Sequence, residues 1–250
     1  MKKDYFLECC VDSVESAMAA EAGGGNRLEL CSNLIIGGTT PTLSLFKEVR
    51  SNCSLPIHVL IRPRFGDFLY TEHEANIIEN DILAFRDAGA DGIVIGSLNP
   101  DGTLNTEQMK RFISCAGDMS VTLHRAFDMC NDAFLALEQA QELGIHTILT
   151  SGLAPNCLEG IHMLQQLWEK SQNKVTILAG SGICDDTLKE LVKKTSLTHF
   201  HMSGKKVIPS NMIYRNPHVS MGLPGISEYD IWQTDADAIK QARLVLDDAK

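Results

Sequence analysis

Acidic and thiol side chains alternate with apolar ones in two short segments of the sequence. Glu8 and Cys10 lie in FLECCV (6–11), and Glu29 and Cys31 lie in NRLELC (26–31). Successive side chains of a strand face opposite sides, so each carboxylate shares a face with the thiol two residues later. Thiolates favour Cu(I), Zn(II) and iron–sulfur centres, and carboxylates can transfer protons. The pattern therefore predicts two strands that each present one chemically active face.

A metal site and a purely structural role are both open for these thiols. Neighbouring strands lie roughly 4.8 Å apart, so Cys10 and Cys31 can bridge one ion. Two thiolates suffice for linear Cu(I), whereas Zn(II) needs two further ligands such as His124 or His201. Free cysteine is also a common core residue. We expect Cys9 to face the helices instead, because adjacent strand residues diverge.

The segment RPRFGDFLY (62–70) predicts an anion site. Arg62 and Arg64 share a parity and can together hold a carboxylate or phosphate through bidentate hydrogen bonds. Gly66 lets the backbone turn directly after the strand. Asp67 can either orient an arginine or bind a hydroxyl of the ligand.

The segment HRAFD (124–128) predicts a proton-transfer site. His124 can move a proton near neutral pH, and Asp128 is available to fix its tautomer. Thr150 comes late in the sixth strand, on the face opposite Leu149, and we assign it to substrate binding.

Two glycine-containing turns, AGSG (179–182) and HMSGKK (201–206), follow the last two strands. Barrel enzymes often bind phosphate there, through backbone N–H groups and a helix N-terminus. We therefore assign Gly180, Gly182, His201 and Ser203 to anion binding. The alternative is that Gly180 to Gly182 only make a tight turn.

Positioning these groups needs eight strands, each followed by a helical pattern. The predicted strands are 6–11, 26–31, 57–64, 92–98, 120–127, 146–152, 174–182 and 198–204. Eight such units in 250 residues predict an α/β protein, a single (β/α)8 TIM-barrel domain over residues 1–250. The alternative, an open doubly wound sheet, requires a glycine-rich first turn, which CVDSVESA does not provide. In a barrel, the inward-facing polar residues either line the active-site mouth or form a buried ion-pair network.

Charge and composition disfavour several classes of binding partner. The formal net charge of −10 disfavours nucleic acid and anionic membrane surfaces. The N-terminus lacks the apolar run of a signal peptide, and no stretch approaches a membrane span. Eight cysteines are too few for a disulfide scaffold. These features predict a cytoplasmic protein.

A long loop is expected over 205–232, between strand eight and the last helix, and it carries Met212, His218 and Met221. Long loops without regular structure are usually functional or flexible. The segment can serve as a lid, contribute a thioether to copper, or form an interface.

Seven segments together resemble the CutC family, which is linked by name to copper homeostasis. They are LECCVDSVESAMAAEAGGGNRLELC, GGTTPT, IRPRFGDFLY, ADGIVIGSL, VTLHRAFD, ILTSG and YRNPHVSMG. The resemblance implies a (β/α)8 barrel, a cytoplasmic homodimer or homotetramer, and a Cu(I) site at Cys10 and Cys31. The sequence departs from the family pattern at Cys9, Ser181 and His199.

Two functions follow as hypotheses. The first is a copper homeostasis protein that binds Cu(I) through Cys10 and Cys31. The second is a barrel enzyme acting on a small anionic or phosphorylated metabolite, in which Glu8 or Glu29 exchanges protons with His124. In that enzyme, Arg62 and Arg64 would hold the anion, and the loops after strands seven and eight would bind a phosphate. A scaffold whose outer helices mediate assembly is a third possibility. No organic cofactor is implied.

Overall fold

The computed structural model describes residues 4–219, 221 and 225–249. The ends of the predicted 1–250 domain, and positions 220 and 222 of the YRNPHVSMG segment, lie outside the described residues.

Eight parallel strands close into a barrel and alternate with eight helices, which confirms the (β/α)8 prediction. The strands are β1 Phe6–Val11, β2 Arg27–Leu30, β3 Ile57–Leu60, β4 Gly92–Ile95, β5 Ser120–Leu123, β6 Thr147–Thr150, β7 Thr176–Ala179 and β8 His199–Met202. The helices are α1 Val14–Ala22, α2 Leu43–Asn52, α3 Glu72–Asp87, α4 Thr106–Ala116, α5 Ala133–Glu142, α6 Ile161–Ser171, α7 Asp185–Lys194 and α8 Ala236–Asp248. Short 3₁₀ turns follow β2 at Leu34–Ile36 and β5 at Arg125–Met129.

The strands are shorter than the sequence pattern predicts. Strand β3 ends at Leu60, where the pattern continues to 64, and β5 ends at Leu123, where it continues to 127. The chain leaves the ladder at these points to form the loops of the barrel mouth. Side-chain alternation therefore stops four residues earlier than expected on both strands.

Alternation does separate two apolar groups within the strands. Leu28, Leu30 and Val59 belong to the large core between the barrel and its helices. A second buried cluster, formed by Cys10, Cys31, Leu60 and Val94, lies inside the barrel. The two thiols therefore lie inside the barrel, Cys10 on β1 and Cys31 directly after the end of β2, as the sequence pattern predicts.

A capping box marks the start of helix α3. The Thr71 hydroxyl accepts from the Glu74 backbone N–H, and the Glu74 carboxylate accepts from the Thr71 backbone N–H. This reciprocal capping box satisfies donors that a helix start leaves unpaired. Among the described residues, no helix combines the length and the apolar character needed to cross a bilayer.

The segment predicted as a loop, 205–232, has regular structure at both ends. Strands β9, Lys205–Pro209, and β10, Asp230–Thr234, pair antiparallel as a separate two-stranded sheet. Val207 and Trp232 face each other in the register, and β-branched and aromatic residues favour such pairs. The loop prediction is therefore wrong for the segment's ends. Positions 220 and 222–224 lie outside the described residues.

Gly92 gives room to a histidine inside the lower barrel. A Cβ at this position would lie 2.5 Å from His58 Nε2 and 2.7 Å from the Ser120 carbonyl oxygen. His58 is buried and contacts the Thr122 hydroxyl through Nδ1 at 3.4 Å. The absence of a side chain at Gly92 thus allows this polar layer to pack.

We predict that Gly92→Ala lowers the free energy of unfolding by roughly 1–3 kcal/mol, because the added methyl overpacks the barrel interior. Urea denaturation of the two proteins measures the difference. Ser44→Ala, on the exposed side of α2, is the control and should change stability by less than about 0.5 kcal/mol. Equal stability of Gly92→Ala and the parent would contradict this packing.

Candidate functional site

A cavity of about 130 Å³ opens at the C-terminal ends of the barrel strands. Five of the predicted site residues line it: Cys10, Glu29, Arg62, His124 and His201. Its apolar wall is formed by Leu34, Leu60, Phe68 and Leu149. The cavity therefore brings acidic, basic and thiol groups together against an apolar background, which is typical of small-ligand sites.

The two predicted thiols are neighbours. Cys10 Sγ lies 3.8 Å from Cys31 Sγ and 3.3 Å from Glu29 Oε1, to which it donates. Cys10 lies directly opposite Glu29 in the β1–β2 register. Cys31 is fully buried, and Gly38 packs closely against it. Two effects raise the pKa of Cys10 well above its usual value: the hydrogen bond with Cys31, which is the larger, and burial.

Glu8 lies in a buried network below the cavity. Its Oε2 accepts from Arg27 Nε at 2.6 Å, and its Oε1 lies 2.7 Å from His201 Nδ1. Burial acts to raise the pKa of Glu8, but Arg27 and then His201 outweigh it and lower the pKa to about 2. Glu8 does not line the cavity, whereas His201 does. The contact of Glu8 with Nδ1 therefore positions the His201 ring. This is the buried ion-pair arrangement that the sequence left open as an alternative.

Glu29 and His201 both have perturbed acid–base properties. Burial raises the pKa of Glu29 against the opposing charge of His201. Burial lowers the pKa of His201, but Glu29 and hydrogen bonds to Cys10 and Glu8 raise it well above its usual value. Cys10, Glu29 and His201 each place one ligand atom within 4.8 Å of the others. These three groups form the chemical centre of the cavity.

Arg62 is a buried cation whose hydrogen-bond acceptors are backbone carbonyls. Nη1 donates to the Gly37 and Gly38 carbonyls at 3.2 and 3.1 Å, and Nη2 donates to the Gly66 carbonyl at 2.7 Å. The guanidinium also lies over the Phe68 ring, 5.0 Å from its centroid. Its Nε is buried without a hydrogen-bond partner among the described residues. Arg62 therefore joins the loops after β2 and β3 and retains one free donor.

His124 differs from the predicted proton carrier. Its Nδ1 accepts from the Ala126 backbone N–H at 3.1 Å, so the neutral ring carries its proton on Nε2. Burial, together with the charge of Arg62, lowers the pKa of His124 to about 3. The ring is therefore neutral near pH 7 and acts as a hydrogen-bond donor. Burial disfavours the imidazolium, which argues against the predicted transfer of a proton by His124 near neutral pH.

Asp128 does not fix the His124 tautomer, since Ala126 does. Its carboxylate pairs with Arg125 Nε at 2.7 Å and accepts from the Thr150 hydroxyl at 2.5 Å and from Ser151. Thr150 is fully buried in this network. Both residues hold the loop after β6 and do not line the cavity.

Arg64 and Asp67 also lie away from the cavity. Arg64 pairs with Glu74 and, at 2.9 Å, with Asp67, and it stacks on the Tyr70 ring. The predicted clamp of Arg62 and Arg64 is therefore not formed. Both arginines come after the end of β3, so their shared parity does not place them on one face.

The glycine turns line a second, larger cavity of about 410 Å³, which shares Cys10, Leu34, Arg125 and His201 with the first. Gly182 and Ser203, which the sequence assigned to anion binding, line it together with Ser181 and Lys205. Gly180 lines neither cavity, and a Cβ there would lie 2.6 Å from Leu149 Cδ1.

Three further residues of the site, Arg27, Arg125 and Phe68, were not predicted from the sequence. Arg27 lies opposite Glu8 in the register and shares the inward parity of Glu29, so alternation alone was enough to identify it. Arg125 and Phe68 reach the mouth from irregular segments, where no periodicity predicts direction. Cys9 faces the helices as expected, since it packs in the outer core.

Comparison with known proteins places this architecture in context. The sequence profile of the CutC family matches residues 5–206. A Homo sapiens protein named copper homeostasis protein cutC homolog is 39% identical over 242 residues, which cover 96% of this chain and 89% of the relative. A family protein CutC of Bacteroides fragilis is 42% identical, with 95% and 96% covered. A crystal structure of CutC from Streptococcus agalactiae superposes with a TM-score of 0.76 at 27% identity and covers 80% of this chain and 98% of that protein.

The neutral state of His124 makes stability depend on pH. An unfolded histidine binds a proton below about pH 6.5, whereas folded His124 does so only near a pKa of about 3. The contribution of His124 to the free energy of unfolding is fully present above about pH 6.5 and is lost as the pH falls toward 3. We predict that the parent loses about 3 kcal/mol more between pH 7 and pH 4 than His124→Asn does.

Asparagine is the matched replacement because its side-chain oxygen can still cap the Ala126 N–H. Urea titrations at each pH measure the free energy of unfolding. Parallel pH profiles for the two proteins would show that His124 titrates normally.

Proposed function

This chain belongs to the CutC family, and on that premise we propose that it binds Cu(I) at the barrel mouth through the thiolates of Cys10 and Cys31. The observation that carries the proposal is the 3.8 Å separation of the two sulfur atoms. Relatives named for copper homeostasis support the same metal.

The donor set suits Cu(I) better than Zn(II). Two thiolates complete a linear Cu(I) site, whereas a structural zinc site takes four ligands. Cys31 is not part of the three-residue cluster of Cys10, Glu29 and His201, so no four-ligand group of these residues is assembled within the described chain. His201 is also engaged with Glu8 through Nδ1.

Binding requires both thiols to lose their protons. Glu29 Oε1 already accepts from Cys10 Sγ and is therefore placed to take that proton. The apolar neighbours Leu60 and Val94 pack around the sulfur pair and limit water around a soft metal. All eight cysteines are free, which fits a reducing cytoplasm where Cu(I) and thiols persist.

We predict that Cys10→Ser and Cys31→Ser each weaken Cu(I) affinity at least a hundredfold, because a single remaining thiolate cannot complete two-coordinate copper. Titration of the reduced protein against a chromogenic Cu(I) chelator measures the affinity.

Cys9→Ala is the matched control, since this thiol lies on the same strand but packs on the opposite face. It should retain the parent affinity. Equal affinities of all four proteins would refute the site, and loss in Cys9→Ala alone would move it to the other face of β1.

A second candidate is an enzyme acting on a small anionic or phosphorylated metabolite. What favours it is the larger cavity, which joins Cys10 and His201 to Gly182, Ser203 and Lys205. The raised pKa values of Glu29 and His201 provide two proton-bearing groups beside it.

A thermal-shift screen of phosphorylated metabolites tests this candidate. A ligand at 100 times its dissociation constant stabilises the folded state by about 2.7 kcal/mol. We expect a hit whose shift disappears in the double variant Ser203→Ala/Lys205→Gln. It should persist in Lys206→Gln, whose lysine pairs with Asp235 outside the cavity. A panel without hits, or a shift unaffected by the double variant, counts against the enzyme.

A further inference from the structure

Three residues that line the smaller cavity each carry a buried polar atom without a hydrogen-bond partner among the described residues. These atoms are Glu29 Oε2, Arg62 Nε and His124 Nε2. All three residues are more than nine-tenths buried, and all three line the same space. A buried polar group without a partner costs about 1–3 kcal/mol, so such groups mark a place where a ligand completes the structure.

Two of these atoms are donors with fixed orientation. The Arg62 guanidinium is held at both terminal nitrogens by the carbonyls of Gly37, Gly38 and Gly66, which leaves its Nε–H. The His124 ring is fixed at Nδ1 by the Ala126 N–H, which leaves its Nε2–H.

The Phe68 ring holds the two donors together. The His124 and Phe68 ring centroids are 4.7 Å apart, and the Arg62 guanidinium lies 5.0 Å from the Phe68 centroid. Gly96 leaves the space that the imidazole occupies, since a Cβ there would lie 2.6 Å from His124 Cε1. Both donors are therefore set before any ligand arrives.

Arg62 brings one positive charge to this cavity. Arg62 forms no ion pair with a carboxylate of the described chain, unlike Arg64 and Arg125, which each pair with an aspartate. A buried cation is stable only when it is compensated, and here only neutral carbonyls surround it. The site therefore favours a monoanion.

We propose that Arg62 and His124 form a binding site for the carboxylate of a small monocarboxylic acid, separate from the thiol pair. Two N–H donors match the two oxygens of one carboxylate, whereas a phosphate dianion would need more donors and more positive charge. Leu34, Leu60 and Leu149 surround the remainder of the acid, whose far end faces Cys10 and Glu29. The site goes beyond copper binding, and it lies in the smaller cavity, away from the glycine turns that favour the second candidate function.

Acetate is the simplest probe. The reduced, metal-free protein is labelled with ¹³C at its histidine rings, and the His124 resonance is followed while sodium acetate replaces sodium chloride at constant ionic strength. Inorganic phosphate is titrated in the same way. We expect saturable movement of the His124 signal with acetate and weaker movement with phosphate.

Two variants remove one donor each. Arg62→Gln should weaken acetate binding roughly ten- to hundredfold, the range for a hydrogen bond to a charged group. His124→Asn keeps the Ala126 cap and lacks Nε2, and amide resonances of the Phe68 loop then report binding, which should also weaken. Arg64→Gln is the matched control and should bind acetate like the parent. If Arg62→Gln does not fold, His124→Asn decides.

Absence of saturation, a preference for phosphate at His124, or unchanged acetate affinity in His124→Asn would each overturn the carboxylate site. Cys31→Ser separates this result from the copper proposal, because that variant should lose Cu(I) affinity and keep acetate binding. Loss of both ligands in Cys31→Ser would show that the two sites are not separate and would also overturn the inference.

Discussion

The Glu8 carboxylate, fully buried between Arg27 and His201, is the interaction on which the rest of the site depends. A charge in the barrel interior is tolerated only with such partners, and removing one leaves the others uncompensated. Through this network β1, β2 and β8 are joined by side chains as well as by their hydrogen-bond ladders. The same contacts orient His201 toward Cys10 and Glu29. The arrangement of these three groups in the cavity therefore depends on the ion pair of Glu8.

The mouth combines two different environments in one small space. On the β1 and β2 side are soft thiols with a carboxylate that accepts from Cys10. On the side of β3 and β5 are a cation and a neutral imidazole that present only donors. Arg62 holds the loop that follows β2 by donating to the Gly37 and Gly38 carbonyls. The copper site and the carboxylate site proposed above would therefore use different side chains as ligands.

Much of this was predictable from the sequence because barrels obey a simple period. Alternation along β1 and β2 correctly placed Glu8, Cys10, Glu29 and Cys31 on the inner face, and the repeated strand and helix patterns gave the fold. Alternation failed where strands end, as at Arg64, because hydrogen bonding to neighbours stops before the apolar pattern does. It also gave no measure of burial, so Glu8 and Cys31, expected to line the mouth, are fully buried and do not line its cavities. The protonation of His124 depends on burial and on Arg62, neither of which spacing reveals.

In the proposed copper site, two sulfur atoms, Cys10 Sγ and Cys31 Sγ, together hold the ion. X-ray absorption at the copper edge of the Cu(I)-loaded protein measures its coordination. We expect a two-coordinate ion with only sulfur neighbours. A spectrum dominated by nitrogen or oxygen scatterers, or one unchanged in Cys31→Ser, would contradict it.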